Sequence, residues 1–145
     1  MGGLLGLPEW LAITLWLFLA LALLRGVGQC ILRRAHTRLA AKRPGPTRAA
    51  FLSAMAEDVP TRTAAWLWDQ LQIYYAPLTP HPDDSLIDDA CIDEDDIVMD
   101  WPSDFENHLG QGKIEWPHWP EQWPLTVRNY ARWLEMGLPD RRIIQ

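Results

Sequence analysis

An uncharged run of fifteen residues, Trp10 to Leu24, limits the fold of this chain more than any other part of its sequence. The longer window from Trp10 to Leu32 would span roughly 30 Å as a helix, at about 1.5 Å per residue, which matches a bilayer. A cleaved signal peptide would carry basic residues before the run, whereas the first Lys or Arg of this chain is Arg25. We therefore predict that residues 10–32 cross a membrane and contact its lipid.

The charge distribution predicts how the chain is oriented. Residues 1–50 contain seven Lys or Arg and one acid, whereas residues 51–145 contain six Lys or Arg and eighteen acids. Because basic flanks stay on the cytoplasmic side, the N-terminus is predicted outside and residues 33–145 in the cytoplasm, as in a single-pass protein of a bacterial inner membrane. No aromatic residues interleave the basic ones, so nucleic-acid binding is not predicted. The oligomeric state stays open.

The sequence RPGP at residues 43–46 is typical of a break between segments, because proline and glycine both disfavour helix. We predict three parts: a transmembrane anchor over residues 1–33, a basic juxtamembrane linker over 34–46, and an acidic helical domain over 47–145.

Apolar periodicity predicts helices in that domain over residues 47–59, 61–75 and 125–137, with Thr47 and Thr126 as caps. The inward faces are predicted to carry Ala64, Leu67, Trp68, Leu71 and Tyr75 in one helix and Val127, Tyr130, Trp133 and Leu134 in another. No strand pattern of any length is present, so the predicted fold class is all-α.

Prolines predict the loops between these helices. Three prolines fall within residues 76–84, and three Trp-Pro pairs within 111–124 favour an extended, ordered loop whose indoles pack on the helices. A helix start is predicted over residues 93–100, with an interruption at Pro102 and a stop at Gly110. The tryptophans of the long loop either build the core or form a ligand cage.

Residues 85–100, SLIDDACIDEDDIVMD, combine seven acids with apolar residues. A calcium loop starting at Asp93 would need an oxygen ligand where Ile97 stands and a glycine where Val98 stands. The Cys and His residues are too scattered for a zinc site, and no motif surrounds a nucleophile. We therefore predict no metal, no cofactor, no catalytic residue and no enzymatic activity.

An apolar helix, a proline-bearing loop, the stretch SLIDDACIDEDDIV, a second helix and a final helix in LTVRNYARWLEMG follow one another over residues 61–137. This order resembles the acyl carrier proteins, and in particular a small acidic bacterial family of acyl-carrier-like proteins of unknown function. Leu86, Asp89 and Asp93 fit the loop signature of those families. The resemblance implies a small helical bundle with a long Trp-Pro loop. Glu94 or Asp95 stands where those proteins attach phosphopantetheine to serine, so the carrier chemistry is expected to be absent.

These observations predict a non-enzymatic interaction module that docks a basic protein partner through an acidic face. The predicted partner-binding residues are Asp88, Asp89, Asp93, Glu94, Asp95 and Asp96, and the loop is predicted to be held to the core by Leu86, Ile87, Ile92 and Ile97. Three alternatives stay open: an immunity or inhibitor protein that neutralises a toxin, a functional carrier modified at Ser85 or another serine, and a merely solvated acidic surface.

Overall fold

The structure, a computed structural model, describes the backbone of residues 9–139; the side chains of residues 9, 12, 25–33, 35 and 36 are not described. The chain divides into two compact units, Met1–Arg34 and Ala35–Gln145. The described residues form helices and no strand, which confirms the all-α prediction. The elements are α1 (Glu9–Lys42), α2 (Arg48–Met55), α3 (Thr61–Tyr75), a π-helical segment (Asp96–Asp100), α4 (Trp101–Leu109) and α5 (Val127–Gly137).

Helix α1 contains the uncharged run, and the large apolar side chains described between Trp10 and Leu24 are exposed. Among the residues whose side chains are described, no helix is both long enough and apolar enough to cross a membrane. The predicted span of residues 10–32 extends into residues 25–32, whose side chains lie outside the described part, so the span stays a prediction.

The predicted basic linker is helical over much of its length. Residues 35–42 are the last turns of α1, and Leu39 is only 1% exposed in the core of the second unit. The backbone leaves helical geometry at residues 43–47, where Pro44 and Pro46 lack the N–H that a helix interior needs. The break therefore falls at RPGP as predicted, and Leu39 anchors the helical residues just before it to the core.

The core of the second unit forms around α3, which contacts both α2 and α5. The phenyl ring of Phe51 in α2 lies 5.0 Å from the indole of Trp68 in α3, centroid to centroid. Thr47 caps α2 by accepting a hydrogen bond from the Ala50 amide at 3.2 Å. The predicted inward faces are confirmed, since the following side chains are buried: Ala64, Leu67, Trp68, Leu71, Tyr75, Val127, Tyr130, Trp133 and Leu134.

The loop before the acidic stretch closes the amino-terminal end of α5. The first amides of a helix have no partner within the helix, and here carbonyls of the loop accept two of them. Val127 N–H donates to Asp84 O at 3.0 Å and Arg128 N–H donates to Pro82 O at 2.8 Å. Thr126 caps the same end through its hydroxyl, which accepts from Asn129 N–H at 3.3 Å, as predicted.

Helical backbone continues from Glu94 to Leu109, so the predicted interruption at Pro102 is wrong. Pro102 has no N–H and its ring would crowd the carbonyl four residues earlier in an α-helix. A π-helical segment precedes Pro102 and accommodates its ring. In this segment Trp101 N–H donates to Asp96 O, five residues earlier in the chain. This wider turn carries the helix past the proline. Gly110 then ends α4 in the left-handed conformation, with φ +61°, as predicted.

The Trp-Pro loop, residues 111–124, contains no helix, as predicted, and packs two of its three indoles on α5. Trp116 stacks on Trp133 with ring centroids 5.2 Å apart, and Trp119 stacks on Tyr130 at 6.5 Å. Glu106 of α4 secures the start of the loop, because one carboxylate oxygen accepts both the Trp116 indole N–H and the Ile114 amide, each at 2.9 Å.

Candidate functional site

The acidic stretch is an ordered turn followed by a helix start. Its backbone closes on itself: Cys91 N–H donates to Ile87 O and Ile92 N–H donates to Leu86 O, both at 3.0 Å. Leu86, Ile92 and Ile97 are buried and hold the turn to the core, as predicted. Ile87 is 43% exposed, so its predicted core role is wrong. The turn that places Leu86 inward directs its neighbour to the outside.

Asp88 and Asp89 organise the turn around Ser85. The Ser85 hydroxyl accepts from Asp88 N–H at 3.1 Å and lies 3.3 Å from the Asp88 carboxylate. Asp89 accepts from Ser85 N–H at 2.9 Å and lies 3.5 Å from Lys42 Nζ at the end of α1. Asp88 is exposed whereas Asp89 is only partly so. Ser85 is therefore engaged within the turn on both sides.

The remaining four predicted acids surround the start of the helix. Asp93 caps it by accepting from Asp95 N–H at 3.1 Å, and Asp93, Glu94 and Asp95 are all exposed. Asp96 instead accepts from the Tyr74 hydroxyl at 3.0 Å and is partly buried. Burial and this carboxylate together raise the pKa of the Tyr74 hydroxyl above its ordinary value of 10.0. Asp96 thus contributes to packing as well as to surface charge.

Apolar side chains are exposed between two of the acids, Asp96 and Asp100. Val98 and Met99, both in the π-helical segment, expose 61% and 68% of their surface, while Ile97 beside them is buried. A π-helical turn has more residues per turn than an α-helix, and such turns are frequent at functional sites. The prediction of the acidic face did not include Val98 and Met99, because it was based on the carboxylates alone.

An aromatic cleft of about 420 Å³ lies at the helix start and shares Glu94 and Val98 with the surface just described. It is bounded by the beginning of the helix, the Trp-Pro loop and α5, and its lining includes Glu94, Val98, Trp116, His118, Trp119 and Trp133. Trp116 and Trp119 are half-buried, so they contribute both to the core and to the cleft wall. The two interpretations of the Trp-Pro loop, core and ligand cage, therefore apply to the same side chains.

Asp84 is a buried acid that no sequence pattern predicted. Its side chain is 2% exposed and pairs with Arg43, while its second oxygen accepts the His81 amide at 3.0 Å. Its neighbour Asp83 is exposed, and the sequence PDD carries no signal that separates the two. Through these contacts Asp84 holds the loop before the acidic stretch in place, so its carboxylate is engaged within the protein.

No group of three or more His, Cys, Asp or Glu is placed to hold a metal ion within the part of the chain that the structure describes. Comparison with protein-family models, with curated proteins and with solved structures finds no match to this chain. The resemblance to acyl carrier proteins therefore stays a prediction.

Proposed function

We propose that this protein is a membrane-anchored, non-enzymatic interaction module that docks a basic partner through its acidic face. The acidic face comprises Asp88, Asp89, Asp93, Glu94, Asp95 and Asp96. One observation carries the proposal: Val98 and Met99 are exposed within this acidic surface instead of being buried with Ile97. Exposed apolar side chains do not contribute to solubility, so a surface with solubility as its only role would not require Val98 and Met99 at these positions.

Charge and apolar area have separate roles in this proposal. Carboxylates steer a basic partner and fix its orientation, and their effect weakens as salt shortens the Debye length to about 3 Å at 1 M. Burial of Val98 and Met99 is less sensitive to salt and supplies affinity at about 25 cal/mol per Å² of apolar area removed from water. A basic, amphipathic partner segment matches both parts of the surface.

The finer fold assignment, an acyl-carrier-like bundle, belongs to the same proposal. The helix that follows the acidic turn begins at Glu94, directly after the capping Asp93. Under the resemblance this is where a carrier would place its phosphopantetheine serine. A carboxylate cannot form that phosphodiester, so what the carrier-like domain retains is the acidic docking face.

The membrane anchor is supported by the apolar run in α1. Trp16, Phe18 and Leu24 expose 70, 72 and 71% of their surface, and no charged residue occurs between Trp10 and Leu24. Such a surface is unfavourable in water and favourable in lipid. The basic residues that follow would hold the second unit on the cytoplasmic side of a bacterial inner membrane.

Charge reversal at matched positions tests the docking face. The full-length chain carrying Asp93→Lys, Glu94→Lys and Asp95→Lys is used to pull down partners from its own membranes in mild detergent, at low and high salt. The control carries Glu57→Lys, Asp104→Lys and Glu121→Lys, three exposed acids outside the acidic face, and has the same net charge. We expect the control to retain a basic partner that the first variant loses. Equal retention by both variants would show that the acidic face does not dock the partner.

Topology is tested separately with a Cys30→Ser variant, which leaves Cys91 as the only thiol. A membrane-impermeant maleimide is added to intact spheroplasts and to lysed ones. We expect Cys91 to be labelled only after lysis, and the protein to stay in the pellet after alkaline carbonate extraction. Labelling before lysis would contradict the orientation, and release by carbonate would contradict the anchor.

A further inference from the structure

The aromatic wall of the cleft has already used its hydrogen-bonding groups within the protein. The indole N–H of Trp116 donates to Glu106, that of Trp119 to Trp123 O at 3.1 Å, and that of Trp133 to Pro117 O at 2.9 Å. The fourth ring, Tyr130, donates its hydroxyl to Ile97 O at 2.8 Å. The donors of these four rings are therefore engaged within the protein, and the polar side chains that the lining adds are those of His118 and Glu94.

This arrangement excludes several classes of ligand. A carboxylate, a phosphate or a sugar is held by several polar groups that point into the site, and the engaged indoles leave His118 as the one donor side chain of the described lining. Anions are further disfavoured by Glu94, which lines the cleft, and by Asp93 and Asp95, which flank Glu94 in sequence; all three are exposed. Apolar and cationic groups remain.

Ring faces attract cations, because the π system of an aromatic ring is negative above its plane. Tryptophan is the strongest of the aromatic residues in this respect, and Trp116, Trp119 and Trp133 line the cleft together. A cation that is itself a hydrogen-bond donor, such as a primary ammonium, would leave most of its N–H groups unpaired against such a wall. A quaternary ammonium has no N–H group and loses nothing there.

We propose that the cleft between the start of the helix at Glu94 and the Trp-Pro loop binds a small quaternary ammonium compound that carries no anionic group. The half-buried rings of Trp116 and Trp119 contact the alkyl groups of the cation, Trp133 backs them from the core, and Glu94 balances the charge. The volume of about 420 Å³ falls in the range of about 300–1,000 Å³ that is common for small-molecule sites, so it can hold the cation with a further substituent. This site shares Glu94 with the acidic face, but it needs no protein partner to bind its ligand.

Choline and its neutral carbon isostere, 3,3-dimethylbutan-1-ol, separate the charge from the shape of the ligand. Each is titrated into the full-length chain in a maltoside detergent, which has no ammonium headgroup, and the indole N–H resonances are followed by NMR. We expect the resonances of the three cleft tryptophans to shift with choline and its affinity to exceed that of the isostere by at least about fivefold, as a cation–π contact implies. Glycine betaine, which adds a carboxylate, is expected to bind more weakly than choline.

Two variants tie the binding to the cleft. Trp119→Leu keeps an apolar side chain but removes a ring face, and Glu94→Gln removes the charge at an exposed position where folding is not at risk. Both should weaken choline binding several-fold, whereas Glu121→Gln, an exposed acid outside the lining, should not. Equal affinity for choline and its isostere, no shift with either, or full affinity in Glu94→Gln would each overturn the proposal. Choline binding is measured on the wild type without a protein partner. The outcome of the charge-reversal experiment therefore cannot overturn it, and the two proposals can fail separately.

Discussion

Arg43 and Asp84 form a buried ion pair that joins the end of α1 to the loop before the acidic stretch. Arg43 Nε donates to Asp84 Oδ1 at 2.9 Å, and the two side chains are 14% and 2% exposed. Arg43 also donates to Thr79 O at 3.0 Å, and Asp84 O accepts the first amide of α5 from Val127. One pair of residues therefore fixes a helix end, a proline-rich loop and the base of the acidic turn.

Removal of Asp84 should destabilise the protein strongly. Asp84→Ala leaves the Arg43 guanidinium buried without its counter-charge, and we expect the free energy of unfolding to fall by about 3–5 kcal/mol. Asp83→Ala is the matched control: Asp83 is 64% exposed and its pair with Arg128 is expected to contribute about 1 kcal/mol or less. Urea unfolding of both variants measures the difference. If both variants lost a similar amount of unfolding free energy, burial of the Arg43–Asp84 pair would not make it more stabilising than the exposed Asp83–Arg128 pair.

Acid should weaken the contact between α5 and the end of α2 through Asp58. Burial would raise the pKa of the Asp58 carboxyl, but hydrogen bonds and charges from Arg128 and Arg132 outweigh it and hold the pKa below its ordinary value of 3.8. A pKa depressed on folding adds stability above the unfolded-state value and loses it as the pH falls through the folded one.

We therefore expect Asp58→Asn to be less stable than the wild type at neutral pH, and the difference to shrink as the pH falls below about 4. Thermal unfolding from pH 7 to pH 2 measures it. A constant difference over that range would show that the ionisation of Asp58 is not linked to folding.

Gly137 should not tolerate a side chain, because a Cβ atom there would lie 2.4 Å from Cε3 of Trp116. The indole is fixed by its stack on Trp133 and its hydrogen bond to Glu106, so it cannot move without disturbing the Trp-Pro loop. We expect Gly137→Ala to cost about 1–3 kcal/mol of stability by overpacking. Gly112→Ala, in the Trp-Pro loop, serves as the control, because a Cβ atom at Gly112 has no other atom within 4 Å. Chemical denaturation of both should separate them clearly; equal stabilities would mean that the indole has room to shift.

Loss of the Tyr130 hydroxyl should loosen the π-helical segment. That hydroxyl donates to Ile97 O at 2.8 Å from a side chain that is 1% exposed. Tyr130→Phe leaves a buried carbonyl without this donor, and we expect a loss of about 1–3 kcal/mol. Hydrogen exchange should increase at the amides of residues 97–101 more than in α3. Uniform exchange across both regions would show a general loss of stability instead of a local one.

The sequence by itself determined the helices and their inward faces. The residues from Ala64 to Tyr75 in α3 and from Val127 to Leu134 in α5 follow the helical period, and the caps Thr47 and Thr126 are set by local chemistry. The Trp-Pro pairs likewise determine an extended loop, because the residue before proline avoids helical geometry. Such features depend on neighbours within a few residues, so the sequence shows them directly.

The tertiary structure alone decided which side chains meet across long separations in sequence. Leu39 is buried although basic residues surround it, Ile87 is exposed although its neighbour Leu86 is buried, and Asp84 is buried while Asp83 is not. The π-helical segment that carries the helix past Pro102 likewise places Val98 and Met99 outside. The burial of Leu39 and of Asp84 depends on packing against residues far away along the chain, and no local pattern encodes that. The aromatic cleft is of the same kind, since it exists only where the Trp-Pro loop lies against α5 and the start of the helix.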